Sequence, residues 1–185
     1  MFSTVRMLQD HTFAIDRCRV PVIAAMSGYV IGGGIDMSTG CDIRLCSEDA
    51  RFSIKEIDIA IVADLGTLQR IQKVVGNNSW VREMAYTGRL CDAKEAQREG
   101  LVSGVYKDRE ALMKAAFDLA KTIAAKSPVA IFGIKETLNF ARDHTITAGL
   151  QQVRTLNGAL TQTEDLANAA MASLKKGSQP KFAKL

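Results

Sequence analysis

The sequence has 185 residues, of which 47% are hydrophobic and 24% charged, and this is enough for one sizeable core or a core with a small appendage. No apolar run approaches the roughly 18 residues of a membrane span, and the first residues lack the pattern of a secretory signal peptide, so we expect a soluble intracellular protein. The net charge of +4 is spread along the chain, which argues against a nucleic-acid-binding surface.

The cysteines and histidines give no sign of a metal or redox centre. The four cysteines form no CxxC pair, so we expect reduced thiols. His11 and His144 are far apart and lie outside any ligand-like cluster. No metal site is therefore expected.

From Val20 to Val105 short strands alternate with short helices. The apolar run PVIAAM, residues 21–26, predicts a strand buried on both faces. A glycine triplet at residues 32–34 predicts a tight turn, and IDMSTG predicts a short helix directly after it. DIRLCSE and RFSI alternate well enough for two further strands, and the segment from Lys55 to Gly66 is expected to be a connecting loop.

Helical spacing returns after this loop. TLQRIQKVVG predicts a helix with Thr67 as its N-cap, and NSWVREMAYTG predicts a second helix that ends at Gly88. DAKEAQREG predicts a short helix capped by Asp92, followed by a strand in LVSGVY.

From Asp108 onward nearly every segment is predicted to be helical. Three or more helices are expected, with Ser127 and Pro128 as cap and first turn of one of them. We therefore divide the chain into an α/β core, residues 1–107, and a helical C-terminal region, residues 108–185. These helices are apolar enough to need a partner surface, either on the core or on another subunit.

The glycine triplet allows more than one interpretation. A P-loop would need Lys followed by Ser or Thr after the glycines, and a dinucleotide-binding turn would need GxGxxG at the start of a long helix, so both are excluded. An oxyanion site at the N-terminus of a helix remains possible, because exposed backbone N–H groups there can hold a developing negative charge. A turn used only for packing is the alternative.

Three carboxylates follow in apolar surroundings, at Asp36, Glu56 and Asp64. Burial raises the pKa of a carboxylate toward the range useful for proton transfer at neutral pH. The structural alternative is that Asp36 and Asp64 cap helices and that Glu56 pairs with Lys55 or Arg51. Sequence separation alone leaves the two interpretations even for these acids, whereas for Asp58 we favour a structural ion pair.

The segment from Val20 to Gly76 resembles the central signature of the crotonase superfamily, the enoyl-CoA hydratase/isomerase family. The motifs that carry the resemblance agree in order and spacing: PVIAAMSGYVIGGG, CDIRLCSEDARF, the acid at Glu56 and TGRLCDAKEAQREGLVSGV. The resemblance implies a crotonase-like α/β fold, a spiral of ββα units with a helical C-terminal region.

GGGID, KEIDIAIVADLGTLQR and ARDHT are similar to the family members that convert 3,5-dienoyl-CoA to 2,4-dienoyl-CoA in fatty acid β-oxidation. The resemblance implies that Asp36, Glu56 and Asp64 are catalytic, that Gly33 supplies an oxyanion N–H, and that Gly32 lies beside the substrate. Glu56 is expected to transfer the proton at C2, and Asp64 is expected to transfer the proton at C6. CoA would be part of the substrate rather than a cofactor.

The resemblance also implies a homotrimer or homohexamer. Family members have an N-terminal half that would precede the central motif, so we expect an N-terminally incomplete core. Two rival functions follow: an enoyl-CoA hydratase that uses Asp36 and Glu56, and a non-catalytic subunit with the family's fold.

The last three residues, Ala183, Lys184 and Leu185, resemble the C-terminal peroxisomal signal of the SKL type. This predicts binding to the peroxisomal import receptor. The expected location is the peroxisome or a related organelle such as the glycosome.

Overall fold

The computed structural model describes residues 2–174 and 180–182, which form two compact units. The first unit contains the residues up to Cys18 and Val22–Asp118, and the second contains Arg19–Pro21 and the residues from Leu119 onward. The division predicted from the sequence lies ahead of helix α6 (Arg109–Ala124), whereas the boundary between the units falls at residue 118, within that helix.

The first unit begins with a helix, α1 (Phe2–Asp16), in a segment for which the sequence analysis makes no prediction. Among its residues whose side chains are described, the buried ones are Thr12 and Asp16, and both are polar. The segment therefore lacks the apolar stripe by which an amphipathic helix is identified in a sequence.

Two small sheets follow. Four of their six strands lie in the predicted apolar and alternating runs, whereas the strands Tyr29–Ile31 and Cys91–Asp92 were not predicted. One sheet is entirely parallel, in the order β1 (Ile23–Met26), β3 (Ile43–Ser47), β6 (Gly104–Tyr106). The other contains β2 (Tyr29–Ile31), β4 (Arg51–Ser53) and β5 (Cys91–Asp92), with β4 and β5 antiparallel.

The helices of the first unit begin and end largely at the predicted residues. They are α2 (Gly33–Gly40), α3 (Thr67–Val74), α4 (Asn78–Thr87) and α5 (Ala93–Arg98). Gly88 ends α4 in a left-handed conformation, and the Asp92 carboxylate accepts a hydrogen bond from the Glu95 N–H, so both predicted caps are confirmed. Thr67 as an N-cap is wrong, because Gly66 occupies that position and Thr67 is the first helical residue.

The core of the first unit lies among these sheets and helices. Its largest fully buried side chains include Phe52, Ile35, Ile71, Met84 and Leu101. Full burial of an aliphatic or aromatic side chain contributes about 1.5–3 kcal/mol, so this cluster is a main source of stability for the first unit.

The second unit contains α7 (Pro128–Ala141), α8 (Ile146–Leu160) and α9 (Glu164–Leu174). Ser127 caps α7 by accepting a hydrogen bond from the Ala130 N–H, as predicted. A Cβ added at Gly133 would lie 2.5 Å from Leu160 Cδ1, so glycine allows α7 and α8 to pack closely. Along the described part of the chain, no helix combines the length and the apolar character needed to cross a bilayer.

Candidate active site

The glycine turn joins β2 to α2 and leaves backbone amides exposed at the start of that helix. Gly32 has φ of 53°, in the left-handed region, and its carbonyl accepts hydrogen bonds from Ile35 N at 2.7 Å and Asp36 N at 3.2 Å. Gly33 is the first residue of α2, where an amide has no acceptor within the helix. The N–H of Gly33 and the positive end of the α2 dipole are therefore available to an anionic oxygen.

Glu56 lies directly against this turn. It begins a short 3₁₀ helix, Glu56–Ile59, and a Cβ added at Gly32 would lie 2.9 Å from Glu56 Oε1. Glycine is thus required at position 32 for two reasons, the positive φ and the space that the carboxylate occupies. The structure brings together Glu56 and Gly32, two of the residues predicted for the site.

The surroundings of Glu56 favour its protonated form. Burial raises the pKa of the Glu56 carboxyl, and the negative charges of Asp36 and Asp64 raise it further, against an opposing effect of the Glu56 and Lys55 backbone amides. Glu56 Oε2 is buried, and no group in the described residues donates a hydrogen bond to it. A carboxylate in this environment can accept and return a proton closer to neutral pH than an exposed one.

Asp36 is in the first turn of α2 and is 1% exposed. Its Oδ1 accepts a hydrogen bond from Thr67 N at 2.8 Å and another from Thr67 Oγ1 at 2.6 Å. The carboxylate therefore satisfies the first amide of α3. Asp36 thus caps a helix, as the structural alternative expected. The helix that it caps is α3, whereas Asp36 itself lies in α2.

Asp64 is exposed and lies in the loop before α3. The alternative in which its side chain caps α3 is wrong, because the N-cap residue is Gly66 and the carboxylate bonded to the first amide of this helix is that of Asp36. The Asp64 carbonyl accepts a hydrogen bond from Gln9 Nε2 at 2.7 Å. Asp64 also borders a groove beside α1 that includes Arg6, Phe13 and Arg17.

Asp58 does not belong with these acids. Its Oδ2 lies 2.6 Å from Lys55 Nζ, and both side chains are well exposed. The structural ion pair favoured from the sequence is confirmed, and Lys55 is therefore not the partner of Glu56. An exposed pair of this kind contributes about 0–1 kcal/mol.

The comparison with known proteins decides the family. The sequence pattern of the enoyl-CoA hydratase/isomerase family matches residues 3–184. The chain belongs to this family. The resemblance stated from the motifs is thereby confirmed.

Two relatives of this chain are both named as dienoyl-CoA isomerases. The Homo sapiens mitochondrial Δ(3,5)-Δ(2,4)-dienoyl-CoA isomerase is 48% identical over 165 residues, which cover 89% of this chain and 50% of the relative. The Arabidopsis thaliana peroxisomal Δ(3,5)-Δ(2,4)-dienoyl-CoA isomerase is 46% identical over 181 residues, which cover 98% of this chain and 64% of the relative. The chain spans about half the length of the Homo sapiens relative.

A solved structure agrees with the predicted fold. The crystal structure of an enoyl-CoA hydratase from Bacillus anthracis matches with a TM-score of 0.90 at 30% identity, covering 96% of this chain and 68% of the other. The predicted crotonase-like α/β fold with a helical C-terminal region is confirmed.

This family member has an apolar cavity beside Glu56 that the sequence analysis did not predict. The cavity has a volume of about 330 Å³, and its walls come from the 3₁₀ helix, the following loop, α3 and α4. Residues that line it include Glu56, Ile57, Ile61, Val62, Leu68 and Tyr86. The signal in the sequence was the apolar run from Ile57 to Val62, whose large side chains are exposed rather than packed in the core.

Proposed function

We propose that this family member isomerises 3,5-dienoyl-CoA esters to 2,4-dienoyl-CoA esters in fatty acid β-oxidation. The observation that carries the proposal is the position of the Glu56 carboxylate, against the glycine turn at the start of α2 and within the electrostatic influence of Asp36 and Asp64. This reaction needs a base, an oxyanion donor and a second acid that can deliver a proton. Glu56, Gly33 and the exposed Asp64 are the residues proposed for these roles.

The first step is removal of a proton from C2 by Glu56. As the C2–H bond breaks, its electron pair is delocalised over the dienolate and reaches the thioester oxygen. The N–H of Gly33 donates a hydrogen bond to that oxygen, with Gly32 next to it in the same turn. Loss of one oxyanion donor in a well-studied protease costs about 3–4 kcal/mol in the barrier, which indicates the scale of this contribution.

The second step is delivery of a proton to C6 by Asp64, whose exposed carboxylate takes that proton from solvent. The C6–H bond forms, and the double bonds move from positions 3 and 5 to positions 2 and 4. Glu56 then releases the C2 proton to solvent and returns to its starting state. Asp36 assists without touching the substrate, since its carboxylate is buried and bonded to Thr67 while its charge raises the pKa of Glu56. Both steps are proton transfers, so the proposal requires neither a metal ion nor a redox cofactor.

The apolar cavity beside Glu56 is the proposed site for the acyl chain. Its exposed aliphatic side chains, Ile61 and Val62, and the ring of Tyr86 are suited to a hydrocarbon chain rather than to a polar metabolite.

The test is the ultraviolet absorbance of a 3,5-dienoyl-CoA solution after addition of the protein, because conjugation of the diene with the thioester changes the spectrum directly. We expect a change at catalytic protein concentration. No change would contradict the proposal for this chain, and hydration of a 2-enoyl-CoA without diene isomerisation would assign the hydratase activity instead.

Asp64→Asn is the informative variant. It preserves the size of the side chain and removes the group that carries the proton, so we expect isomerisation to be abolished with the fold intact. Asp58→Asn is the matched control, because it changes an exposed acid that lies nearby in sequence but is paired with Lys55. Full activity of Asp64→Asn would contradict the assignment.

We further propose that the protein assembles as a homotrimer or homohexamer and is imported into peroxisomes. Ala183, Lys184 and Leu185, on which the import proposal rests, lie outside the described residues. One relative is named peroxisomal and another mitochondrial, so location needs its own experiment. We expect a fluorescent protein fused ahead of the chain to enter peroxisomes, and to remain outside them when the last three residues are removed.

A further inference from the structure

Helix α1 presents polar side chains to the loop that carries Asp64. Gln9, Thr12 and Asp16 are spaced three and four residues apart, so they lie along one face of the helix. We propose that this face of α1, with Arg70 of α3, positions the Asp64 carboxylate for proton delivery at C6. The inference rests on the proposed function, since it assigns positioning residues to the second step of that reaction.

Two consecutive carbonyls of the loop accept hydrogen bonds from α1. Gln9 Nε2 donates to the Asp64 carbonyl at 2.7 Å. Thr12 Oγ1 lies 2.9 Å from the Leu65 carbonyl and 2.9 Å from the Gln9 carbonyl of its own helix, so these two acceptors share its proton. Thr12 is 6% exposed, so its bond is protected from competition with water. The backbone carbonyls of Asp64 and Leu65 are thus both hydrogen-bonded to the same helix.

Arg70 approaches the same loop from α3. Its Nη1 donates to the Leu65 carbonyl at 3.3 Å, and its Nε donates to Asp16 Oδ2 at 2.8 Å. The guanidinium also lies 4.7 Å from the centre of the Phe13 ring, within the range of a cation–π interaction. A Cβ added at Gly66 would collide with Arg70 Nη1, so the guanidinium packs closely on the end of the loop.

Asp64 depends on these backbone contacts for its position. Its side chain is exposed, and within the described residues no group is hydrogen-bonded to its carboxylate. The direction in which the side chain leaves the loop is therefore set by the backbone that Gln9, Thr12 and Arg70 hold. Catalytic groups that are misplaced by about 1 Å can lose about a hundredfold in rate.

The consequence is specific to one of the two proton transfers. Glu56 is positioned by the glycine turn and the 3₁₀ helix, and not by α1. Release of the loop from α1 is therefore expected to slow protonation at C6 while the exchange of the C2 proton continues.

The double variant Gln9→Leu/Thr12→Val tests the inference. In deuterated water, deuterium that enters C2 of recovered 3,5-dienoyl-CoA reports the first step, and formation of the 2,4-diene reports both steps. We expect the ratio of C2 exchange to isomerisation to increase about tenfold or more. Thr12→Ser retains the hydroxyl and is expected to keep the wild-type ratio, as is Thr4→Val, which changes an exposed threonine of the same helix.

Amide hydrogen exchange of residues 60–66 provides a readout that does not require activity. We expect faster exchange in the double variant than in the wild type. Unchanged amide exchange would overturn the inference. Faster amide exchange would also overturn it if the ratio of C2 exchange to isomerisation stayed the same or if both proton transfers were lost in parallel. If the wild type itself performs neither transfer, the proposed function fails, and amide exchange alone then decides whether α1 holds the loop.

Discussion

At the residue scale, Glu56 and Asp36 are two acids in contrasting environments. Glu56 has a buried oxygen without a hydrogen-bond donor among the described residues, whereas Asp36 is buried deeper but accepts two hydrogen bonds from Thr67. Burial makes ionisation of the Glu56 carboxyl costly despite the opposing effect of the Glu56 and Lys55 backbone amides, whereas the Asp36 carboxylate has both donors of Thr67 as partners. The two acids are therefore suited to different roles, proton transfer for Glu56 and support for Asp36.

Because its pKa is raised, ionised Glu56 is expected to lower the free energy of unfolding at neutral pH but not at acidic pH. Because the pKa is higher in the folded protein than in the unfolded chain, the folded state binds the proton more tightly, and this stabilisation is lost as pH rises through the raised pKa. We expect Glu56→Gln to raise the unfolding temperature at pH 7 and to lose that advantage below about pH 4. A difference that stays constant across this range would contradict the prediction, and Asp58→Asn provides the exposed control.

We expect the hydroxyl of Thr67 to contribute measurably to the free energy of unfolding. Thr67→Val removes the Oγ1 bond to the buried Asp36 carboxylate, and hydrogen bonds to charged groups contribute about 1.5–3 kcal/mol. We expect a loss of that size in the free energy of unfolding, measured by urea denaturation. Thr67→Ser retains the hydroxyl and is expected to lose less, so equal losses in the two variants would argue against the hydrogen bond as the cause.

The residue scale also shows what local sequence could predict about the site. Lys55 and Asp58 are three residues apart, and their ion pair was expected. Asp36 and Thr67 are 31 residues apart, and no local signal connects them. Their contact depends on how α2 and α3 pack.

At the element scale, α1 is joined to α3 by a buried ion pair. Arg70 Nε and Asp16 Oδ2 are 2.8 Å apart, and both side chains are less than 10% exposed. The desolvation cost of such a pair can cancel its attraction, but removal of one partner takes away the ion pair that offsets the desolvation of the other buried charge. The pair therefore specifies how the two helices dock more than it adds to stability.

This predicts a strong non-additivity between the two positions. We expect Arg70→Met alone to lower the free energy of unfolding by about 3–5 kcal/mol. The double variant Asp16→Leu/Arg70→Met removes both charges and is expected to recover much of that loss in chemical denaturation. Losses that simply add would show that the two side chains do not interact.

The elements themselves were predicted where they carried local signals. Apolar runs, helical periodicity and capping residues indicated the strands β1, β3, β4 and β6 and most of the helices. Helix α1 was missed because its buried face is polar, and the 3₁₀ helix at Glu56–Ile59 was expected to be loop. The 3₁₀ helix carries Glu56, and α1 is hydrogen-bonded to the loop that carries Asp64.

At the scale of the whole molecule, the second unit exposes many large apolar side chains. Ile134 and Leu138 on α7 and Ile146 and Leu150 on α8 are each more than half exposed. Exposed apolar surface of this kind is typical of subunit contacts. The proposed homo-oligomer would bury it.

Sedimentation analysis tests this expectation. We expect the wild type to sediment as a trimer or hexamer, and Leu138→Lys to reduce the assembled fraction, because a charge would be buried in the interface. Leu138 is 65% exposed, so we expect the substitution to leave the fold of the unit intact. Gln151→Lys adds the same charge at an exposed polar position of α8. Equal effects of the two variants would contradict a role for Leu138 in assembly.

The sequence by itself determined the α/β class, most of the element boundaries, the glycine turn and the family, because these depend on short-range periodicity, caps and contiguous motifs. Only the tertiary structure decided that Glu56 lies against Gly32, that Asp36 bonds to Thr67, and that α1 holds the loop of Asp64. The physical reason is distance along the chain. Each of these contacts joins side chains or backbone groups more than about 20 residues apart, and such contacts form through packing rather than local propensity.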